Sequence, residues 1–279
     1  AREIVYAYIG LHPLKKIIFR TLLATPTAFN LAMRVGAPMQ GLIFRKSKDA
    51  QGTVCAPLLN FMLGDRHIHA LAKKPLHSMY GSLDEPRRMG GPRVAFFPGC
   101  VADKMYTRMG DACIRVLRHH GVAVYMPSGF ACCGIPALSS GDVTGMVKEM
   151  RINLALLEDL SFDYVLTPCG SCTATIKELW PRYAERLGAI EKGLALRLAA
   201  RTMDINEFLV KVIGVKPAET RASARKVTYH DSCHLKKSLG VAREPRDVIR
   251  SNPYLQLVEM KEADRCCGCG GSFNLFHYD

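Results

Sequence analysis

The chain has 279 residues, 48% of them hydrophobic and 23% charged, with a formal charge of +13 and 11 cysteines. That length and composition allow one or two domains with a sizeable core and argue against a disordered state. No signal peptide is visible, and so many cysteines in so long a chain exclude the small, exported, disulfide-stapled class. The charge is uneven: residues 1–90 hold 13 Lys and Arg against 5 Asp and Glu, and residues 91–279 hold 25 against 20. The basic residues are scattered and no nucleic-acid module signature is present, so nucleic acid is not an expected partner. An acidic protein surface or anionic lipid head groups are the expected partners, with a merely solvated basic face as the equal alternative.

The chain begins with AREIVYAYIG, at Ala1 rather than Met, and reads like the middle of a helix, as if a longer protein preceded it. Residues 1–80 read as a helical segment with proline breaks. Its uncharged stretches, 21–33, 35–44 and 52–64, are shorter than the ~20 residues a bilayer requires. Pro26, Pro38 and Pro57 interrupt them. They are read as core helices and loops, or else as a surface that lies on a membrane or a membrane-bound partner. The expected location is cytoplasmic, with a peripheral seat at the inner face of the cytoplasmic membrane as a variant. YGSLDEPRRMGGPR (80–93) has the Gly and Pro content of a linker.

An α/β pattern follows. RVAFFPGC (93–100) predicts a short buried strand ending at a turn and a cysteine, and a helix is expected over 103–120. GVAVYMPSG (121–129) reads as the next strand. Asp142 is placed to cap a helix in which Met146, Met150, Leu154 and Leu157 recur at helical spacing. DYVLTPCGSC (163–172) reads as strand, turn and helix. Strands alternating with helices predict a parallel sheet covered on both faces.

The chain then repeats itself. RVAFFPGC (93–100) aligns without gaps on KVTYHDSC (226–233), matching Phe96 with Tyr229 and Cys100 with Cys233. ACCGIP and RCCGCGG follow at nearly equal distances. The expected fold class is therefore α/β: two similar lobes from an internal duplication, each a small parallel sheet flanked by helices, after a helical N-terminal segment. The expected divisions are 1–80, a first lobe over 93–213 and a second over 226–279, with 214–226 as the join.

The cysteines carry the chemistry. Cys100, Cys132 and Cys133, and Cys169 with Cys172, each follow a predicted strand. In parallel α/β architecture strand C-termini share one edge, where ligands bind. The x-x spacing of CGSC lets two thiolates face one metal centre from the opening turn of a helix, whose positive end stabilises thiolate. The side chains of adjacent cysteines diverge, so Cys132 and Cys133 can reach different metal atoms. Gly134 and Gly268 allow a tight turn beside each pair. Five sulfurs overfill a four-coordinate zinc site and point to an iron–sulfur cluster. Zinc, and a redox dithiol at Cys169 and Cys172, stay as alternatives. His230 and His234 bracket Cys233 and are read either as hydrogen-bonding and proton-handling groups beside the metal or as packing. Cys55 and Cys113 are read as small core residues, His119 and His120 as helix-end residues, and Trp180 as packing. Lys236 and Lys237 are read as offsetting cluster charge or as a solvated face.

The spacing Cys100-x31-Cys132-Cys133-x35-Cys169-x2-Cys172 resembles the CCG, or cysteine-rich, domain found in heterodisulfide reductase subunits and in the iron–sulfur subunits of lactate and glycolate dehydrogenases. YHDSCHLKKSLGV (229–241) and EADRCCGCGGSF (262–273) look like the second repeat of the lactate/glycolate branch. Residues 1–90 look like the segment that follows a ferredoxin-like module there, although no C-x2-C-x2-C-x3-C-P run is present. The resemblance implies a non-cubane [4Fe-4S] cluster on Cys100, Cys132, Cys133, Cys169 and Cys172. It implies a second set at Cys233, Cys266 and Cys267, whose C-x-x-C would fall beyond Asp279. Cys269 is an extra cysteine that can complete four thiolates there.

The expected function is an electron-transfer subunit of a flavin-dependent glycolate or lactate dehydrogenase complex. A separate flavoprotein subunit carrying FAD would oxidise the 2-hydroxy acid, and this chain would pass electrons toward a quinone-reducing or membrane partner or another carrier. No G-x-G-x-x-G motif places flavin here. The alternative is a heterodisulfide-reductase-like catalytic subunit that cleaves disulfides at the cluster. A third option is a docking subunit in which the cluster is a staple.

Overall fold

The computed structural model describes residues 2–46, 53–55, 68–159 and 161–268. The N-terminal part is helical: α1 (Arg2–Ile9), α2 (Pro13–Ile17), a π-helical turn (Ile18–Leu22) and α3 (Pro26–Ile43). Pro26 starts α3, where its missing N–H is not needed. Pro38 lies inside α3 without ending it, contrary to the expected break. It sits on the exposed face, where water can take the carbonyl that its ring leaves unbonded. Pro57 lies outside the described residues. Three strands of two or three residues, β1 (Arg45–Lys46), β2 (Thr53–Cys55) and β3 (Ile68–His69), form a small antiparallel sheet. Such short strands carry too little alternation to be predicted. Phe19 and Leu23 pack against the core of the first lobe, and Arg20 forks onto Asp142 at 2.7 to 3.1 Å.

After α4 (Leu76–Tyr80) comes β4 (Leu83–Asp84), within the stretch read as a linker. It pairs antiparallel with β6 (Ala123–Met126) and closes that edge of the main sheet. The other strands are β5 (Arg93–Phe96), β7 (Tyr164–Thr167) and β8 (Thr202–Asp204). The order is β4-β6-β5-β7-β8, parallel from β6 to β8. Side chains alternate along β5. Val94 and Phe96 enter the core with Ile114, Leu117 and Phe208, whereas Ala95 and Phe97 enter the opposite core with Met146, Met150 and Trp180. Both faces are therefore covered, as parallel strands require.

The helix expected over 103–120 is two helices, α5 (Gly99–Lys104) and α6 (Thr107–His119), broken at Tyr106, whose ψ of 50° is not helical. Consequently Cys100 stands at the start of a helix. Next come α7 (Ile135–Ser139) and α8 (Val143–Leu156). Asp142 caps α8 as expected, its carboxylate accepting from the Gly145 N–H at 3.1 Å. Met146, Met150, Leu154 and Leu157 are all buried, each contributing roughly 1.5–3 kcal/mol. The lobe continues with α9 (Gly170–Ala174), a π-helical turn (Thr175–Leu179), α10 (Trp180–Tyr183), α11 (Ala189–Arg201) and α12 (Ile205–Lys211).

The second lobe repeats the opening of the first. β9 (Arg225–Val227) leads to Cys233 and a π-helical turn (His234–Ser238), then α13 (Arg243–Arg250) and β10 (Leu255–Leu257), which pairs parallel with β9. The π-turn lies on α9: a Cβ on Gly170 would sit 2.7 Å from the Leu235 Cγ. No helix among the described residues is long and apolar enough to cross a membrane.

Candidate metal centre

Topology selects the place. β5 continues to β6 on one side and β7 continues to β8 on the other, so the strand order reverses between β5 and β7. A crevice at the carboxyl ends of strands opens at such a reversal. Cys100 follows β5, Cys169 and Cys172 follow β7, and Cys132 and Cys133 follow β6. Gly99 has φ +68°, and a Cβ there would sit 2.8 Å from the Cys172 Sγ. Only glycine lets the loop after β5 approach the CGSC turn this closely. The Cys100 and Cys132 sulfurs are 3.8 Å apart. The Cys132 and Cys172 thiols both act on the Cys133 thiol, and Cys172 acts on Cys169. The five sulfurs thus form one continuous run. Cys132, Cys133 and Cys172 are 2%, 1% and 5% exposed, while Cys100 and Cys169 are half-buried.

Neighbouring groups hold this run in place. On α8, the Asn153 amide donates to the Cys132 carbonyl at 2.8 Å and its oxygen accepts from the Ala131 N–H at 2.9 Å. The Trp180 indole, read from the sequence as packing, also donates to the Cys133 carbonyl at 3.0 Å. Gly134 has φ +97°, and Met146 fills the space its Cβ would take. The Cys169 sulfur meets the backbone N–H groups of Cys172 and Ser171 at the first turn of α9.

The thiols divide by role. The hydrogen bond from Cys172 lowers Cys169 to about 7 against the opposing effect of burial. Hydrogen bonds from Cys132 and Cys172 hold Cys133 below the ordinary thiol range. Cys132 is raised by its hydrogen bond to Cys100, and Cys172 by its bond to Cys133. Among the described residues, no three His, Cys, Asp or Glu side chains close on one point as a single-ion site would. A spread set of thiols suits a polynuclear group better than one zinc ion.

Glu149 was not singled out by the sequence. It lies on α8, fully buried, with neither carboxyl oxygen hydrogen-bonded among the described residues. Burial first, then Cys133, Cys100 and Asp142, push it up to about 9. Only the i−3 and i+4 relation to Met146 and Asn153 could have marked it, and that needs the CC loop to be placed first.

The second set is arranged differently. Cys233 is half-buried, and Cys266 and Cys267 are exposed. Cys269 lies outside the described residues. The Asp231 N–H donates to the Ala263 carbonyl at 2.8 Å, which brings the two ends of the motif to one side of the lobe. Among the described residues the buried Nδ1 of His234 has no partner. Lys236 is committed to Asp231 at 3.0 Å and Asp264 at 3.2 Å. Cys113 packs against the second core face, and burial raises its thiol to about 12; the side chain of Cys55 lies outside the described residues. A cavity of about 900 Å³ lies between α3 and residues 73–78, with Asn30, Arg34, Lys73 and His77 on its wall and none of the five first-lobe cysteines.

Comparison with known proteins agrees with this geometry. The family profile described as a cysteine-rich domain matches residues 94–177 and 227–278. The chain is 36% identical over 198 residues to a fumarate reductase (CoM/CoB) subunit of Methanothermobacter marburgensis, covering 70% of this chain and 36% of that protein. It is 39% identical over 183 residues to an uncharacterised iron–sulfur protein of Methanococcus maripaludis, covering 64% of this chain and 33% of that one. It is 35% identical over 183 residues to lactate utilization protein A of Bacillus velezensis, covering 66% of this chain and 75% of the relative. The chain therefore spans about a third of the length of the two archaeal proteins and three quarters of the bacterial one.

Proposed function

Because the chain belongs to the cysteine-rich domain family, we propose that it is an iron–sulfur electron-transfer subunit of a 2-hydroxy acid dehydrogenase complex. The observation that carries this reading is the continuous run of five sulfurs at the switch point of a parallel sheet. The 35% identity to lactate utilization protein A supports the substrate class.

The site fits such a group by its donors. Cys100, Cys132, Cys133, Cys169 and Cys172 would hold it, with Gly99 keeping the approach to Cys172 open. A cubane takes four cysteines, one per iron, and a fifth thiolate favours a non-cubane [4Fe-4S] arrangement. When bound, the group supplies one-electron acceptance and release at a potential tuned by burial and hydrogen bonds to sulfur. The chain's own residues set those conditions. Asn153 and Trp180 fix the CC loop through its carbonyls. The N–H groups of Ser171 and Cys172 favour thiolate at Cys169. Phe97, Phe130 and Ile135 belong to the same apolar core as the cysteines and shield its enclosed side from water.

The functional divisions are an N-terminal segment over 1–80, a cluster-bearing lobe over 93–213 and a second lobe over 226–279. Cys233, Cys266 and Cys267 are the second lobe's ligand set, three thiols that need a further donor. FAD belongs on a partner flavoprotein that oxidises lactate or glycolate. Quinone or another carrier takes the electrons, in the cytoplasm or at the inner face of its membrane.

Anaerobic protein should hold about four iron and four acid-labile sulfides per chain, give an EPR signal on one-electron reduction, and be reoxidised reversibly. Zinc without iron would overturn the proposal. A second reading, a catalytic disulfide-cleaving subunit, is favoured by the 36% identity to the fumarate reductase (CoM/CoB) subunit. Stoichiometric disulfide cleavage by the reduced chain alone would select that reading.

A further inference from the structure

Glu149 stands fully buried in the first-lobe core, and neither of its carboxyl oxygens has a hydrogen-bond partner among the described residues. Buried polar groups are almost always bonded, so an orphan of this kind calls for a partner. Its position points to where that partner lies. Met146, three residues earlier on α8, presses on Gly134. Asn153, four residues later, holds the Ala131 N–H and the Cys132 carbonyl. Residues three and four apart share a helix face, so Glu149 lies on the face turned to the Ala131–Gly134 loop.

Its surroundings are equally specific. Full burial by itself opposes ionisation of the carboxyl. Asp142 is satisfied by Arg20 and by the Gly145 N–H. Among the described residues no cation is paired with Glu149, and a fully buried carboxyl without one is held as the neutral acid. A neutral carboxylic acid has an O–H to donate; the Cys132 and Cys133 carbonyls of the loop already accept from Asn153 and Trp180, which leaves its sulfurs as acceptors.

We propose that Glu149 is a hydrogen-bond donor to sulfur of the iron–sulfur group held by Cys100, Cys132, Cys133, Cys169 and Cys172, and that this bond favours the reduced state. The inference rests on the metal reading above. Reduction adds negative charge to the site, and a donor aimed at sulfur stabilises that charge. Methionine or leucine would fill the same space, but neither offers a proton.

The test uses the chain prepared anaerobically as wild type, Glu149→Gln and Glu149→Leu. Iron and acid-labile sulfide are measured first, then the midpoint potential by EPR-monitored titration. All three proteins should hold the same iron. Glu149→Gln keeps a donor and should stay within about threefold of wild type in the reduction equilibrium. Glu149→Leu should disfavour reduction by about tenfold, a lowering of about 59 mV for one electron. Equal potentials in all three, or equal shifts in Gln and Leu, would overturn the proposal while leaving the cluster in place. Wild type without iron would instead overturn the metal reading beneath it. Should Glu149→Leu lose iron, Glu149→Met takes its place. An exchangeable-proton coupling in the EPR of wild type that is absent in Glu149→Met supports the bond; the same coupling in both overturns it.

Discussion

The indole N–H of Trp180 donates to the carbonyl oxygen of Cys133 at 3.0 Å, both groups being buried. Chain segments 47 positions apart are thereby pinned at the most enclosed of the five cysteines. Trp180→Phe keeps most of the packing and removes the donor. It leaves the Cys133 carbonyl unpaired, which costs about 1–3 kcal/mol. Trp180→Ala also opens a cavity and should cost about 3–5 kcal/mol. Chemical denaturation checks both values, and equal stability of Trp180→Phe and wild type would show that the hydrogen bond contributes nothing.

The approach of Gly99 to Cys172 gives a second prediction. Gly99→Ala places a methyl 2.8 Å from the Cys172 sulfur and forces a non-glycine residue to φ +68°. The lobe should still fold, since the clash lies at the crevice rather than in the sheet, but Cys100 and Cys172 must move apart. Iron retained per chain should fall at least threefold, with circular dichroism unchanged. Full iron content in this variant would show that the close approach is irrelevant to metal binding.

Arg20 and Asp142 join the N-terminal segment to the cap of α8. Asp142 is fully buried and Arg20 about a quarter exposed. Arg20→Leu strands the carboxylate, and removing one partner of a buried pair costs about 3–5 kcal/mol; the exposure of Arg20 places the result near the lower value. Arg20→Leu with Asp142→Asn removes the stranded charge and should recover much of the loss. Limited proteolysis around residues 10–25 should speed up in the single variant and less so in the double.

The pH response of one buried network follows from its direction of shift. Burial pushes the Asp103 carboxyl up, but hydrogen bonds from His77 and the charge of Lys104 outweigh burial and hold it below the usual range. A carboxylate with a depressed native value contributes stability above its unfolded value of about 3.9, and that contribution is lost as pH falls through the native one. Wild type should therefore exceed Asp103→Asn in urea stability at pH 6. The gap should close as the medium is acidified through that window. A gap that widens on acidification would reverse the assigned sign.

How much could be read before folding depends on range. Asp142 as a cap, the α8 heptad-like run and the strands ending near Cys100 and Cys169 are local patterns, and the structure has them. The break at Tyr106, the continuation of α3 through Pro38 and the two-residue β4 are decided by tertiary contacts and by exposure, which single-sequence periodicity does not encode. The sulfur run was legible because spacing and topology place strand ends together. Trp180, Asn153 and Glu149 were not, since each is identified only by the loop it faces. Lys236 shows the converse: a basic residue near Cys233 looked available to offset charge, yet Asp231 and Asp264 already hold it.

Burial separates the two cysteine sets in a way that thiol chemistry can read. Cys266 and Cys267 are exposed, whereas Cys132, Cys133 and Cys172 are enclosed. Iodoacetamide requires an accessible thiolate, so it should label Cys266 and Cys267 at least tenfold faster than the enclosed three, which become reactive on unfolding. The same difference should govern metal retention. Cys133→Ser should remove most of the iron, because the serine sits at the junction of the sulfur run. Cys266→Ser with Cys267→Ser should leave about four iron per chain, because neither residue belongs to the first-lobe sulfur run. Loss of iron in that pair, with Cys133→Ser unaffected, would move the working centre to the second lobe.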